Sequence, residues 1–445
     1  VILTVAVPVL HGSDVVGVVV LEQTSDALLL WTNRALGSLL LGGLLTMLVA
    51  AAILFGYAGY LSYRVRKLRN AAENALTPEG RVVGNFPRSQ AVDEIGDLSR
   101  SFAPGWFAAV MGTAATATVA SENPGAFPAL AGPSTTLAWV LFTASAAFFV
   151  FLVIRDFVWR GLGRRIWEDL HSAVDGPAYA TIPGAINVLA IALAHLLGLT
   201  PDSVTLWVVF TLDTVGTVLG VILTVVFFAN AFEAREFRAE DVSGTWFIPE
   251  TVLLLGAMLA GLLSTVMPEQ WDRSLGVIAF GLLGAGLILF GLTAVLFFSR
   301  LIQYRQDDTG VPSLWIMMSP LSVGALALPI VASSTADLGG AWGGAVMQSA
   351  HLMASLLWGF SLWWLAAATL VTWRSTGHPL TFTPADWGFV FPFAALVLST
   401  LALGRLWESG LTEALGVLLS FVLLGVWVAV LIGSGASLRR DTQNR

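Results

Sequence analysis

Asp213, Glu250 and Asp337 are the acidic side chains that interrupt otherwise apolar stretches of this sequence, with Glu250 lying just beyond Pro249. An ionisable group inside a membrane is a candidate functional group, so Asp213 and Glu250 are read as possible proton-holding residues. They form no Asp/Glu/His ladder of the kind a proton pump requires. His11, His171, His195, His351 and His378 are scattered, with no HExxH or HxH pairing. The chain has no cysteine, which excludes disulfides, thiol catalysis and cysteine-ligated metals. No catalytic residue, metal centre or cofactor is expected, and the chain is read as a non-enzyme.

The second chemical signal is proline. Pro183 sits in the third of ten apolar stretches, Pro249 at the start of the fifth, Pro320 in the seventh and Pro392 in the ninth. A proline inside a helix frees a carbonyl and kinks the axis, and in a membrane that carbonyl must face protein or a water-filled cavity. Their concentration in odd-numbered stretches predicts an inner ring of odd helices, lined or kinked at these prolines, around a path. The even helices would face lipid. Aromatic residues crowd the ninth stretch at Trp387, Phe389, Phe391 and Phe393. A phenyl ring there can plug a narrow path, or it can simply pack.

The elements that must position these residues are membrane helices. Hydrophobic residues make up 56% of the chain and DEKR only 11%, where soluble domains carry about twice that charge. Ten stretches, near 104–121, 134–157, 178–198, 205–230, 245–266, 274–298, 311–333, 341–373, 386–404 and 411–433, approach or exceed the roughly 20 residues that cross a bilayer. Arg155, Arg160, Arg164, Arg165, Arg235, Arg238, Arg300, Arg305 and Arg374 fall on alternate connections, and Arg439, Arg440 and Arg445 in the tail. The other connections carry only Arg273 and Arg405, at span edges. By the positive-inside rule the ten-helix unit begins and ends in the cytoplasm. The formal net charge of −7 argues against a nucleic-acid partner.

Residues 1–32 read as two strands around a turn, VILTVAVPVL and VVGVVVLEQ, forming an extracytoplasmic remnant. Residues 33–61 hold one extra transmembrane helix. Residues 62–102 contain Arg66-Lys67-Leu68 and Asp93-Glu94-Ile95-Gly96-Asp97-Leu98 ending in Phe102. This segment resembles a truncated HAMP module of a sensor histidine kinase, and the strands before it look like the end of a sensor domain. No kinase core follows. Residues 103–433 form the ten-helix domain and 434–445 a cytoplasmic tail.

Within that domain, FAPGWFAAVMGT at 102–113, DLH with TIPGAINVLA at 169–190, GTWFIPE at 244–250, LWIMMSPLSVGA at 314–325 and DWGFVFPFAALVL at 386–398 occur in that order. Residues 102–433 thereby resemble the tellurite-resistance/C4-dicarboxylate transporter and slow-type anion channel family. The resemblance implies an all-α polytopic protein of five helical hairpins around a central pore, assembled as a homotrimer. It implies a pore-occluding phenylalanine in the ninth helix, matched by Phe391 or, in an alternative register, Phe389. It also implies small-anion substrates such as chloride, nitrate, malate or sulfite. His171-Ser172 replaces the His-Pro common in the family, and Ala114-Ala115 stands where glycine is frequent.

The reading is therefore passive transport of small anions through a phenylalanine-gated pore in a bacterial inner (plasma) membrane. One alternative is a proton-coupled dicarboxylate or sulfite carrier using Asp213 or Glu250, assisted by His195 or His351. Another is a sensor that signals through the HAMP-like segment.

Overall fold

The computed structural model describes residues 2–11, 14–24, 104–159, 169–170, 172, 175–201, 203–233, 241–304, 311–335, 343–375 and 384–443. The extra helix at 33–61 and the HAMP-like segment at 62–102 lie outside the described residues. So do His171, His378 and Asp337.

The chain divides into two compact units, 1–84 and 85–445. In the first, β1 (Ile2–His11) and β2 (Asp14–Thr24) pair antiparallel, from Ile2 opposite Thr24 to His11 opposite Asp14, with an irregularity between Val9 and Leu10. This is the hairpin expected from the valine-rich runs on either side of His11-Gly12-Ser13-Asp14. The β-branched residues suit a pleated surface.

The second unit is helical. Its helices are α1 (Phe107–Ser121), α2 (Ala131–Trp159), α3 (Thr181–Leu197), α4 (Val204–Glu233) and α5 (Phe247–Ser264). They are followed by α6 (Glu269–Gln303), α7 (Met318–Thr335), α8 (Gly343–Ser375), α9 (Val390–Leu406) and α10 (Gly410–Gln443). Among the described residues nine are long and apolar enough to cross a membrane, and α1 is a shorter apolar helix. The protein is a multi-pass membrane protein. Helix α10 runs through most of the tail expected from 434 onward, as far as Gln443.

Burial separates odd from even helices. In their most apolar stretches α3, α5, α7 and α9 bury 67% to 94% of residues, against 22% to 33% in α2, α4, α6, α8 and α10. All of α1 is buried except Ala108, Ala120 and Ser121. The buried helices touch in a closed cycle, α1 with α3, α3 with α5, α5 with α7, α7 with α9 and α9 with α1. Each even helix packs on the odd helix before it and on the next one, with α10 returning to α1. Indole donors pin these seams. Trp358 on α8 donates to Thr400 of α9 at 2.9 Å, and Trp427 on α10 donates to Thr113 of α1 at 3.1 Å. A buried N–H left without an acceptor would be costly.

The odd helices share an opening device. Short helical turns at Pro104–Trp106, Pro177–Ala180, Gly244–Trp246, Val311–Ile316 and Pro384–Phe389 precede α1, α3, α5, α7 and α9. Pro183, Pro249, Pro320 and Pro392 are each the third residue of the helix that follows. Pro249 thus stands at a helix start as expected, and Pro183, Pro320 and Pro392, expected inside their spans, occupy the same first-turn position. In the first turn a missing N–H has no helical partner to lose. Each proline marks the joint between an opening turn and its main helix, and Pro329 is the one inside α7.

Candidate functional site

Two cavities lie inside the cycle of buried helices. The first is walled by Ala108 and Met111 of α1, Thr181 of α3, Ile248 and Thr251 of α5, Ile316 and Ser319 around the start of α7, and Trp387, Gly388 and Pro392 at the start of α9. The second is walled, further along every helix, by Ala115 and Thr118, Val188 and Ile191, Leu255 and Met258, Val323 and Leu326, and Ala395 and Leu398. Phe391 belongs to both walls. Each cavity has a free volume of about 30 Å³, while a single water needs roughly 10–15 Å³. The two chambers are small and are stacked along the odd helices, and Phe391 is the residue their linings share.

The backbone supports that ring closely. A Cβ on Gly112 of α1 would lie 2.9 Å from Val390 Cβ and 3.5 Å from Phe391 N, so only glycine lets α9 approach α1 here. Phe389, the alternative, lines neither chamber. Its ring packs edge-to-face on Trp315 with centroids 5.1 Å apart. Of the four expected prolines, Pro392 is in a chamber wall and Pro183, Pro249 and Pro320 are not.

The chamber walls are sparing in donors. Thr118 and Thr251 give their hydroxyl protons to Ala114 O (3.1 Å) and Phe247 O (2.7 Å), and Thr181 gives its to Ala178 O (2.6 Å). Ser319 and the Trp387 indole, whose buried N–H has no partner among the described residues, add to the first chamber, and the remaining wall is alkyl and aromatic. The odd helices all begin at the first chamber and run toward the second, so their positive dipole ends gather at the first.

Asp213 and Glu250 are both buried and line neither chamber. Asp213 on α4 accepts from Thr217 one turn on, at 2.9 Å. One helical turn from Asp213, Gly216 allows α4 to meet Asn187 of α3. Glu250 accepts from Thr293 of α6, across the seam between α5 and its even partner. Its second oxygen has no partner among the described residues. Among the described residues no group of three or more His, Cys, Asp or Glu is placed to hold a metal.

A third cluster was not anticipated. Where α1, α3 and α9 end, the Glu122 carboxylate receives His195 Nδ1 at 3.1 Å and Arg405 Nη1 at 2.6 Å. The hydrogen bond from His195, followed by the hydrogen bond and charge of Arg405, holds the Glu122 carboxyl at about 2, against the opposing effect of burial. The sequence signal was an acid, a histidine and an arginine, each at the end of an odd helix.

This architecture, a closed cycle of buried helices around two chambers, is that of a membrane transport protein. The family model of the voltage-dependent anion channel (SLAC1) matches residues 101–434, and the chain belongs to that family. It is a non-enzymatic transporter. An uncharacterised transporter of Methanocaldococcus jannaschii is 25% identical over 338 residues, covering 76% of this chain and 93% of that protein. A sulfite efflux pump of Trichophyton rubrum is 24% identical, covering 76% of this chain and 94% of its own length. A malic acid transport protein of Schizosaccharomyces pombe is 23% identical over 51% of this chain and 53% of its own length.

Proposed function

We propose that the protein passes small anions through the axis of the odd-helix cycle and that Phe391 is the gate. The observation that carries this reading is that Phe391 is the one side chain common to both chambers. In this reading α1, with its opening turn, is a tenth span, and the ten helices are five hairpins around one pore per subunit of a homotrimer. Read by the positive-inside rule, the alternating arginines favour a cytoplasmic side for the odd-helix starts and the C-terminus. Anions then meet the positive ends of five helices before the gate. Beyond the gate the alkyl wall binds them weakly, which favours rapid exit. Chloride, nitrate and small oxyanions or carboxylates fit this chemistry, and the malic acid and sulfite in the relatives' names support the last two classes.

The word "pump" in one relative's name favours a second reading, proton-coupled carriage through Asp213 or Glu250. Their seats against Thr217 and Thr293, away from the chambers, count against it. The deciding experiment is anion current through purified protein in planar bilayers, wild type against Phe391→Ala, under chloride, nitrate and malate gradients. Larger anion-selective current in the variant supports the gate. Unchanged current in a folded variant, with proton-driven uptake in liposomes, supports the carrier.

A further inference from the structure

The faces that line the second chamber continue to the Glu122 cluster. Glu122 lies four residues beyond Thr118, His195 four beyond Ile191 and Arg405 seven beyond Leu398. Steps of four and seven stay on one helix face. At 1.5 Å per residue the three groups stand about 6 to 10 Å past the chamber wall. They therefore lie beyond the second chamber, where α1, α3 and α9 end. The cluster is partly exposed, with the Arg405 side chain 55% exposed, His195 38% and Glu122 17%.

An anion crossing this mouth faces an electrostatic problem. Helix C-termini carry negative partial charge, and the odd helices all end here. Glu408 follows Arg405 by three residues, and Glu413 of α10 packs against Gly404. Against that field, His195 and Arg405 are the basic groups in the last turns of α3 and α9, and α1, α5 and α7 have none. Both basic groups are turned onto one carboxylate, so the Arg405 charge here is already engaged by an anion belonging to the chain.

Resting on the anion-pore reading, we propose that His195 and Arg405 form an anion-binding site at this mouth, and that the Glu122 carboxylate is its tethered competitor. A permeating chloride, nitrate or carboxylate displaces Glu122 from the guanidinium and imidazole. Its departure lets Glu122 return. The site thus acts as a polar closure in series with the aromatic one at Phe391.

The test uses the full chain in planar bilayers with Phe391→Ala as background, so that the aromatic gate does not limit current. Chloride is varied on the side of the Glu122 mouth. Adding Glu122→Gln lowers the half-saturating chloride by about two- to fivefold, the range of a partly exposed charge pair, and adding Arg405→Gln raises it. If both substitutions leave the chloride dependence unchanged while lowering the melting temperature, the cluster is a structural staple and the proposal is overturned. If Phe391→Ala carries no anion current, the pore reading fails separately. The site is then read by nitrate-dependent thermal stabilisation without the Phe391 substitution. That stabilisation is greater in Glu122→Gln than in wild type and lost in Arg405→Gln; equal stabilisation in all three overturns the site. Glu122→Asp, which keeps the charge and shortens the reach, serves if Glu122→Gln does not fold.

Discussion

Arg405 Nη1 lies 2.6 Å from Glu122 Oε2 across 283 positions of sequence, joining the ends of α9 and α1. Glu122 also takes His195, so one carboxylate ties three neighbouring helices of the cycle. Because its folded pKa is depressed below the ordinary 4.5 to about 2, the sign is that of a stabilising anion. Its contribution is fully present above pH 4.5 and is lost as pH falls through about 2. Solvent screening at the exposed arginine keeps the effect modest. Glu122→Gln should melt about 1–2 °C below wild type at pH 7, with the gap closing between pH 4.5 and 2. A gap that persists unchanged at pH 2.5 would show that the charge is not responsible.

The two phenylalanines of the ninth helix should separate cleanly. Phe391→Ala merges the chambers and should raise anion conductance. Phe389→Ala removes packing on Trp315 and should cost stability, about 0.5–1.5 kcal/mol for the lost edge-to-face pair, without raising conductance. Current and melting temperature measured together on both variants decide the assignment. Elevated current in Phe389→Ala alone would reverse it.

Gly112 is the backstop of the gate. A methyl there presses on Val390 Cβ at 2.9 Å, so Gly112→Ala must push α9 from α1. Overpacking of this kind typically costs about 1–3 kcal/mol. The expected outcome is a lower melting temperature together with altered basal current, because the displaced backbone carries Phe391. A destabilised variant with wild-type current would detach the glycine from gating.

Glu250 and Asp213 discriminate channel from carrier. Glu250→Gln keeps an oxygen for the Thr293 hydroxyl, and Asp213→Asn keeps one for Thr217. Under passive flow both variants retain anion flux. Under proton coupling at least one loses pH-gradient-driven uptake. Thr293→Val, by contrast, strips Glu250 of its described donor and should destabilise by about 1–3 kcal/mol, read as a fall in melting temperature.

Hydropathy and arginine placement made the helical spans legible from the sequence because a bilayer imposes a length and a polarity on each span independently of its neighbours. The odd-even asymmetry was legible through proline, and the family resemblance pointed to Phe391 with Phe389 as its alternative. The exact place of Pro183, Pro320 and Pro392 was not legible: residue type marks a missing N–H, but whether it falls at a joint or in mid-helix depends on where the preceding turn stops. Phe391 and Phe389 are two positions apart, so on a helix they point in different directions. The tertiary structure gave Phe391 to both chambers and Phe389 to Trp315. The cycle closes only through contacts such as Trp427 with Thr113 and Arg405 with Glu122, some three hundred residues apart. No local periodicity encodes such pairings, because they arise from how ten apolar cylinders pack around a common axis.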